Sequence, residues 1–585
     1  MPHPGLLVQT TWRSRCTFLV FALVSACGAV RAQDLEQVGK KDAFQVSGGL
    51  NAYTSFYTTD LGEPRQVPLT WGLTARLEFT IYDLQIPFSL TVSERERDFR
   101  QPFNQYGVSP RYKWVRAHLG YRNMHFSELT MSGQNFLGGG LELNPGKFRF
   151  SGMYGRLRKE IFADTTYTVP TEPAFERWCA AGKLGIGSEG SHVDLVLLRA
   201  WDRYDEIALA KGGYGSAQPE ENAVLGIDLA QAIGKRVRLQ VDGAVSLHNL
   251  GAVPDERTST QASASNDYDS FLFNIDPSTR LGTAIKAGLS YNLRGISLAT
   301  HYERIDPLFR TLGCYYFTND VENIRGSVGV GVFKQKLRLQ GSLGIQRNDL
   351  MHAAVQRVER TIGSAGINYN SGRSYSGSID FSNFQADIRS VFAAAGSDTV
   401  SVVQISRSVN FNNSLRIDRR QQHVSHTLDA SAGLQEFDGG TGQVGSGSST
   451  LNIGAGYRYK KSDRYLTLGA RFTASRFSNG GAERNKLGGS INARKGFLQD
   501  KLGVDVRMGI YDNRTRDGRH GLSQTAGLGV SHKIGHVHVL GFVLSYNSRS
   551  DLGPLAPAQY QVRGQVNYSM NINSASRKKG ANKQP

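Results

Sequence analysis

Between Leu69 and Ser93 the chain reads LTWGLTARLEFTIYDLQIPFSLTVS. Trp71, Leu73, Ala75, Leu77 and Phe79 alternate with Gly72, Thr74, Arg76 and Glu78. On an extended backbone successive side chains fall on opposite faces, so one face is apolar and the other polar. After Tyr82 and Asp83 the pattern restarts, with Leu84, Ile86, Phe88, Leu90 and Val92 against Gln85, Ser89, Thr91 and Ser93. The reading is a hairpin of two amphipathic strands of about ten residues, the length a tilted strand needs to cross a bilayer.

The same alternation recurs from Phe44 to Met570, with clear arms at Phe148 to Leu157, His192 to Trp201, Val237 to Ser246, Leu337 to Ile345, Leu502 to Tyr511 and Val537 to Tyr546, among others. The connections alternate in length. Tyr82-Asp83, Asn144-Pro145-Gly146, Arg294-Gly295, Gln499-Asp500 and Ile534-Gly535 are short, whereas Glu94 to Arg111, Lys159 to Arg177, Asp202 to Glu221, Leu247 to Arg280 and Phe437 to Ser449 read as long polar loops. So many amphipathic strands need closure to remove their edges. The expected fold is all-β: a single large closed antiparallel transmembrane β-barrel of about 26 strands (range roughly 22–28), with short periplasmic turns and long extracellular loops. The count is least determined at Asn123 to Leu143 and Asp398 to Phe437.

Composition adds little that contradicts this. A soluble chain of 585 residues would divide into several domains, and no break in composition divides this one. The 66 glycines, 24 tyrosines and 28 phenylalanines suit tight turns and aromatic belts. A net charge of +18 raises nucleic acid as a partner, but the basic residues are spread along alternating strands rather than gathered in a patch, so nucleic acid is not expected. Outer-membrane lipid and a basic lumen account for the charge better. Residues 1–32 read as a signal peptide, with Arg13 and Arg15 before an apolar run and Val30-Arg31-Ala32 before the cut; a lipoprotein-type cut leaving Cys27 lipidated is the rival. Residues 33–43 then form a short periplasmic segment, 44–572 the barrel and 573–585 a basic tail. No segment of roughly 150 soluble residues precedes the first strand, so no separate plug domain is expected. Cys179 and Cys314 are the cysteines left after processing; a disulfide is open to them, with two unpaired thiols the preferred reading.

Two stretches resemble known proteins: YERIDPLFRTLGCYYFTNDVEN from Tyr302, and FNQYGVSPRYKWVRAHLGYRNMHFSELTMSGQNFLGGGLELNPGKFRF from Phe103. They are similar to large outer-membrane β-barrel proteins of the Bacteroidota with no assigned activity. The resemblance implies a Gram-negative outer membrane and supplies no catalytic residues. The chain departs from barrels that close on an aromatic C-terminal residue, since Tyr568 and Met570 are followed by the basic tail Arg577 to Pro585.

If the apolar face meets lipid, the polar parity lines the lumen. Arg76, Glu78, Arg116, Arg149, Arg236, Arg238, Arg338, Arg458, Arg471, Arg494 and Arg507 fall on it, with Asp194, Asp228, Asp242, Asp380 and Asp505 as acidic company. Rings of charged side chains set pore selectivity, so the lumen would favour small anionic solutes; a wall of compensated Arg–carboxylate pairs is the alternative. The loop Asp306 to Asn323, with Tyr315, Tyr316, Asn319 and Asp320, is the outer-loop candidate for binding, or else a loop that folds into the mouth and narrows it. His532, His536 and His538 flank one turn without carboxylate or thiolate partners, so no metal and no cofactor is expected. No motif pairs a nucleophile with a base, which argues against an enzyme. The expected function is an outer-membrane pore or transport component of unknown substrate; the alternative is a structural or assembly protein that binds an envelope protein partner through its loops or tail.

Overall fold

A computed structural model describes residues 44–60, 66–94, 104–163, 173–205, 209, 212–251, 273, 275–353, 356–390, 400–441, 444–518, 520–550 and 559–573. The expected signal peptide, Cys27, the expected segment 33–43 and residues 574–585 of the expected basic tail lie outside them. The described chain is one antiparallel sheet of 26 strands closed on itself. Its first half runs β1 (Phe44–Thr59), β2 (Leu69–Ile81), β3 (Leu84–Ser93), β4 (Gln105–Val108 continued by Arg111–Tyr112), β5 (Val115–Asn123), β6 (Asn135–Leu143), β7 (Phe148–Arg158), β8 (Glu176–Ser188), β9 (Ser191–Arg203), β10 (Glu220–Ile233), β11 (Val237–Leu250), β12 (Arg280–Leu293) and β13 (Ile296–Ile305). The second half runs β14 (Val321–Val332), β15 (Leu337–Arg347), β16 (Gln356–Asn370), β17 (Tyr375–Ser390), β18 (Val400–Arg419), β19 (Val424–Thr441), β20 (Val444–Lys461), β21 (Leu466–Asn479), β22 (Ala482–Phe497), β23 (Leu502–Thr515), β24 (His520–Ile534), β25 (His538–Arg549) and β26 (Gln559–Asn573). Each strand pairs with its sequence neighbour, and β26 returns to β1 from Ser47↔Asn573 to Thr59↔Gln561, which closes the wall.

The register carries the two faces seen in the sequence. In the β2–β3 hairpin Leu73↔Val92, Ala75↔Leu90, Leu77↔Phe88 and Phe79↔Ile86 meet on one face, while Thr74↔Thr91 and Arg76↔Ser89 meet on the other. The outward face leaves large apolar side chains uncovered, Leu69, Leu195, Leu343 and Ile491 among them. In water such a belt would be an aggregation surface; in a bilayer it is the solvated state. Closure leaves no backbone edge for lipid to meet.

The structure differs from the sequence reading at the loops. The stretch Glu94 to Arg111 contains most of β4, and Phe437 to Ser449 is strand on both sides of residues 442–443. The two undetermined stretches each hold strands, β6 in one and β18 with β19 in the other. β18, β19 and β20 are 20, 18 and 18 residues long, nearly twice what the hydrocarbon core requires. This wall stands well clear of the bilayer at the long-loop rim.

Candidate functional site

The barrel interior is unevenly filled. Two segments turn inward from the long-loop rim, residues 124–134 between β5 and β6 and residues 306–320 between β13 and β14. They join in a short parallel pairing, Gly313↔Met131 and Cys314↔Ser132. Met124, Phe126, Leu129 and Met131 of the first and Phe309 and Leu312 of the second pack with Met153, Cys179, Val196, Leu198 and Val224, which point inward from β7 to β10. This is the main apolar core of the molecule, and it lies against one wall.

Close approach and polar anchoring hold the two segments there. A side chain at Gly282 of β12 would overlap the backbone of Phe309, and one at Gly313 would overlap Leu198 and the Thr130 carbonyl, so both contacts need glycine. Asn222, fully buried on β10, reaches the Arg310 carbonyl (3.0 Å) and Ser246 Oγ (3.0 Å) with its amide and accepts from the Leu312 N–H (3.0 Å). Thr311 Oγ1 donates to the Thr130 carbonyl (2.6 Å), and the Leu129 N–H donates to Asp242 (3.2 Å). Lys286 Nζ bridges Glu128 (3.0 Å) and Glu303 (3.1 Å). Buried backbone groups therefore find partners, as a segment inside a barrel must.

The charges along this filled wall are compensated. Arg149 grips Asp194 with both arms of its guanidinium (Nε–Oδ1 2.8 Å, Nη2–Oδ2 2.8 Å), and Lys183 Nζ stands 3.7 Å from the same carboxylate. Arg116 and His118 face Glu142 at 3.4 Å each. Nearer the long-loop rim Arg177 joins Asp202 (2.7 Å) to Glu220 (2.5 Å), which also holds Arg310. His192, Asp194 and Asp228 bring ligand atoms within 4.8 Å of one another. Arg149 and Lys183 already neutralise Asp194, so a cation there would meet two fixed positive charges, and the trio reads as part of the ion-pair network.

The opposite wall, from β15 through β26, carries no inserted segment among the described residues. Arg458, Arg471, Arg494 and Arg507 project from the consecutive strands β20 to β23, each a few residues above the short-turn rim. Arg507 pairs with its own-strand neighbour Asp505 (2.9 Å), with its side chain 73% exposed. Arg471 donates to Ser431 Oγ (3.3 Å). Among the described residues no carboxylate lies within ion-pair distance of Arg458, Arg471 or Arg494. Beside this band a polar cavity of about 580 Å³ is lined by Asn368, Ser378, Asn412, Asp429, Ser431, Arg458 and Arg471.

The other sequence candidates are dispersed. Arg76 registers with Gly49 and Ser89, and Glu78 with Ser47 and Pro87, both on the inward face. Arg238 faces inward beside Ser290, and Arg338 lines a separate polar recess with Gln335 and Gln340. Arg236 lies in the turn between β10 and β11, off the wall itself. In the outer-loop candidate, Asp306 accepts from Thr283 and pairs with Arg304 (3.4 Å), and Asp320 accepts from the Asp349 and Leu350 N–H groups (2.9 Å each). Asn319 donates to the Pro307 carbonyl (2.5 Å). Those three brace the loop, whereas Tyr315 and Tyr316 stack edge-on at 4.5 Å and stay exposed, Tyr316 at 86%. A cavity of about 340 Å³ opens between Tyr315, Phe317, Arg310 and the wall residues Arg158 and Arg177. His538 Nδ1 is hydrogen-bonded with the Tyr568 hydroxyl (2.7 Å) rather than grouping with His536, which sits in the turn. Cys179 and Cys314 are free thiols.

Sequence reasoning did not find residues 124–134 as an inward segment. The available signal was the set Met124, Phe126, Leu129 and Met131, whose spacing fits neither face of a strand.

No family model and no curated protein matches the chain. Among solved structures it is similar to the translocation pore of the P pilus usher PapC, at 10% identity over 90% of this chain and 99% of that one, with a TM-score of 0.33. It is also similar to two Pseudomonas aeruginosa proteins. OccK10 (OpdN) is 14% identical over 63% of this chain and 98% of its own, with a TM-score of 0.32. OpdQ is 10% identical over 90% and 98%, with a TM-score of 0.30.

Proposed function

We propose that this protein is a pore of a Gram-negative outer membrane that passes small anionic solutes along one side of a partly filled lumen, performing no chemistry on them. The carrying observation is the contrast between the walls. On the filled side Glu142, Asp194, Asp202 and Glu220 each hold an arginine, whereas Arg458, Arg471 and Arg494 present guanidinium groups to the open side without carboxylate partners. Fixed charges lining a narrowed aqueous path select ions of opposite sign. The short turns would face the periplasm and the inserted segments would enter from outside.

The test is conductance of the refolded barrel in planar bilayers under a salt gradient. The expected result is a reversal potential of the sign that marks anion preference. Cation preference or the absence of conductance would overturn the proposal. The exposed Tyr315–Tyr316 pair supports a second reading, an aromatic contact for an envelope protein partner. Tyr315→Ala/Tyr316→Ala would then abolish co-purification of that partner and leave conductance unchanged.

A further inference from the structure

We infer that the open wall from β16 to β21 is a binding shelf for an acidic, hydroxyl-rich solute the size of a sugar. The inference rests on the pore reading only for how the solute reaches the shelf. Two kinds of chemistry share the cavity of about 580 Å³. At one end stand Arg458 and Arg471, both on the inward face because their strand neighbours Tyr457 and Phe472 take the exposed outward positions. Arg471 is already oriented by its bond to Ser431 (3.3 Å). Along the rest lie side-chain amides and hydroxyls, Asn368, Ser378 and Asn412, which register across β16, β17 and β18 as Asn368↔Ser378↔Asn412.

The pairing of these groups is what narrows the ligand class. A guanidinium offers a planar fork of donors that fits a carboxylate or sulfate. An amide offers donors and an acceptor together, and a hydroxyl does both, so a row of them matches a polyol, whose hydroxyls also donate and accept. Asp429 adds an acceptor for sugar hydroxyls at the arginine end; it registers with Gly456, the same residue that faces Arg471. Strand spacing of about 4.8 Å sets these groups roughly one pyranose ring apart. A simple anion would use only the arginines, and a neutral sugar only the amides and hydroxyls. A uronate or sulfated sugar engages both.

The experiment uses the full mature chain refolded in detergent, with glucuronate, glucose 6-sulfate, glucose and acetate as probes in saturation-transfer NMR titrations. Glucuronate or glucose 6-sulfate should bind, whichever anion the shelf prefers, with glucose and acetate each roughly ten- to hundredfold weaker, the range for losing charge-assisted hydrogen bonds. Arg458→Gln/Arg471→Gln should weaken the acidic sugar to the level of glucose, and Asn412→Ala/Ser378→Ala should weaken it toward acetate. Arg389→Gln, which removes an outward-facing charge, should change nothing. Heat-modifiable migration confirms that each variant is folded. Equal binding of glucose or acetate, unchanged binding in both double variants, or no binding of either acidic sugar would overturn the shelf. Binding without conductance would retain the shelf and overturn the pore; conductance without binding would do the reverse.

Discussion

At the scale of single residues, burial decides which of the many charges matter for stability. Asp194 is fully buried and held by both arms of Arg149, whose side chain is 17% exposed. Asp194→Asn leaves that guanidinium and Lys183 without their counter-ion, and breaking a buried pair this way costs about 3–5 kcal/mol. Asp505→Asn removes the partner of the exposed Arg507, where about 1 kcal/mol or less is at stake. Urea unfolding in vesicles should therefore show a large fall in midpoint for the first variant and almost none for the second; equal effects would mean that the filled wall gains nothing from its ion pairs. A second residue-scale expectation concerns reactivity. Cys314 sits against the Glu128 and Thr130 carbonyls (3.5 and 3.8 Å), and burial pushes its thiol up to about 11. The raised value favours the neutral thiol, so at pH 8 only about one molecule in a thousand carries the thiolate that reacts. Maleimide labelling read by peptide mass spectrometry should be more than about a hundredfold slower at Cys314 than at a free cysteine near 8.5. Labelling at an ordinary rate would show that the 306–320 segment leaves its docked position.

At the scale of elements, the two inward segments are coupled because they share one parallel pairing and one set of anchors. Asn222→Ala would orphan the Leu312 N–H inside the core and leave the Arg310 carbonyl to Ser246 Oγ alone, at a cost of roughly 1–3 kcal/mol. Hydrogen exchange should then rise at residues 309–314 and at 124–134 together, and single-channel conductance should increase. A rise confined to one segment would show that they dock independently. The strands were largely legible in the sequence, and these segments were not, for a physical reason. Alternation appears wherever one face must meet lipid, as at Leu73, Ala75, Leu77 and Phe79, so each crossing records itself locally. Where β18 and β19 rise past the bilayer, Arg407, Glu436 and Asp438 occupy the outward face, the alternation lapses, and the stretch after Phe437 reads as a loop. The Gln105–Val108 part of β4 is four residues long and stops before Ser109-Pro110, too short to show a period. Met124, Phe126, Leu129 and Met131 are buried by Leu198 and Val224, contacts far apart in the chain that no local pattern can report. The parity of the candidate arginines was legible except at Arg236, which lies in a turn, while their partners were not: Arg149 and Arg494 look alike in sequence, and only the fold gives Arg149 a carboxylate.

At the scale of the whole molecule, the barrel separates two tasks onto opposite walls. One wall spends its charges on holding two inserted segments, and its field is cancelled at short range by paired carboxylates. The other keeps arginines on four consecutive strands with Asp505 alone engaging one of them, so a net positive potential extends into the open path. That potential has a signature which separates it from any effect of pore shape, because mobile ions screen charge and leave geometry alone. The Debye length is about 10 Å at 0.1 M salt and about 3 Å at 1 M. Anion preference in the native barrel should therefore be strong at 0.1 M and fade toward 1 M. Substituting Arg458, Arg471, Arg494 and Arg507 together with Gln should remove most of the preference at 0.1 M, and native and substituted barrels should converge at 1 M. Glutamine has nearly the length of the arginine stem, so the open cross-section changes little and conductance at 1 M should stay close to native. A preference that persists unchanged at 1 M, or survives the substitutions at 0.1 M, would place selectivity in the inserted segments instead of the arginine band.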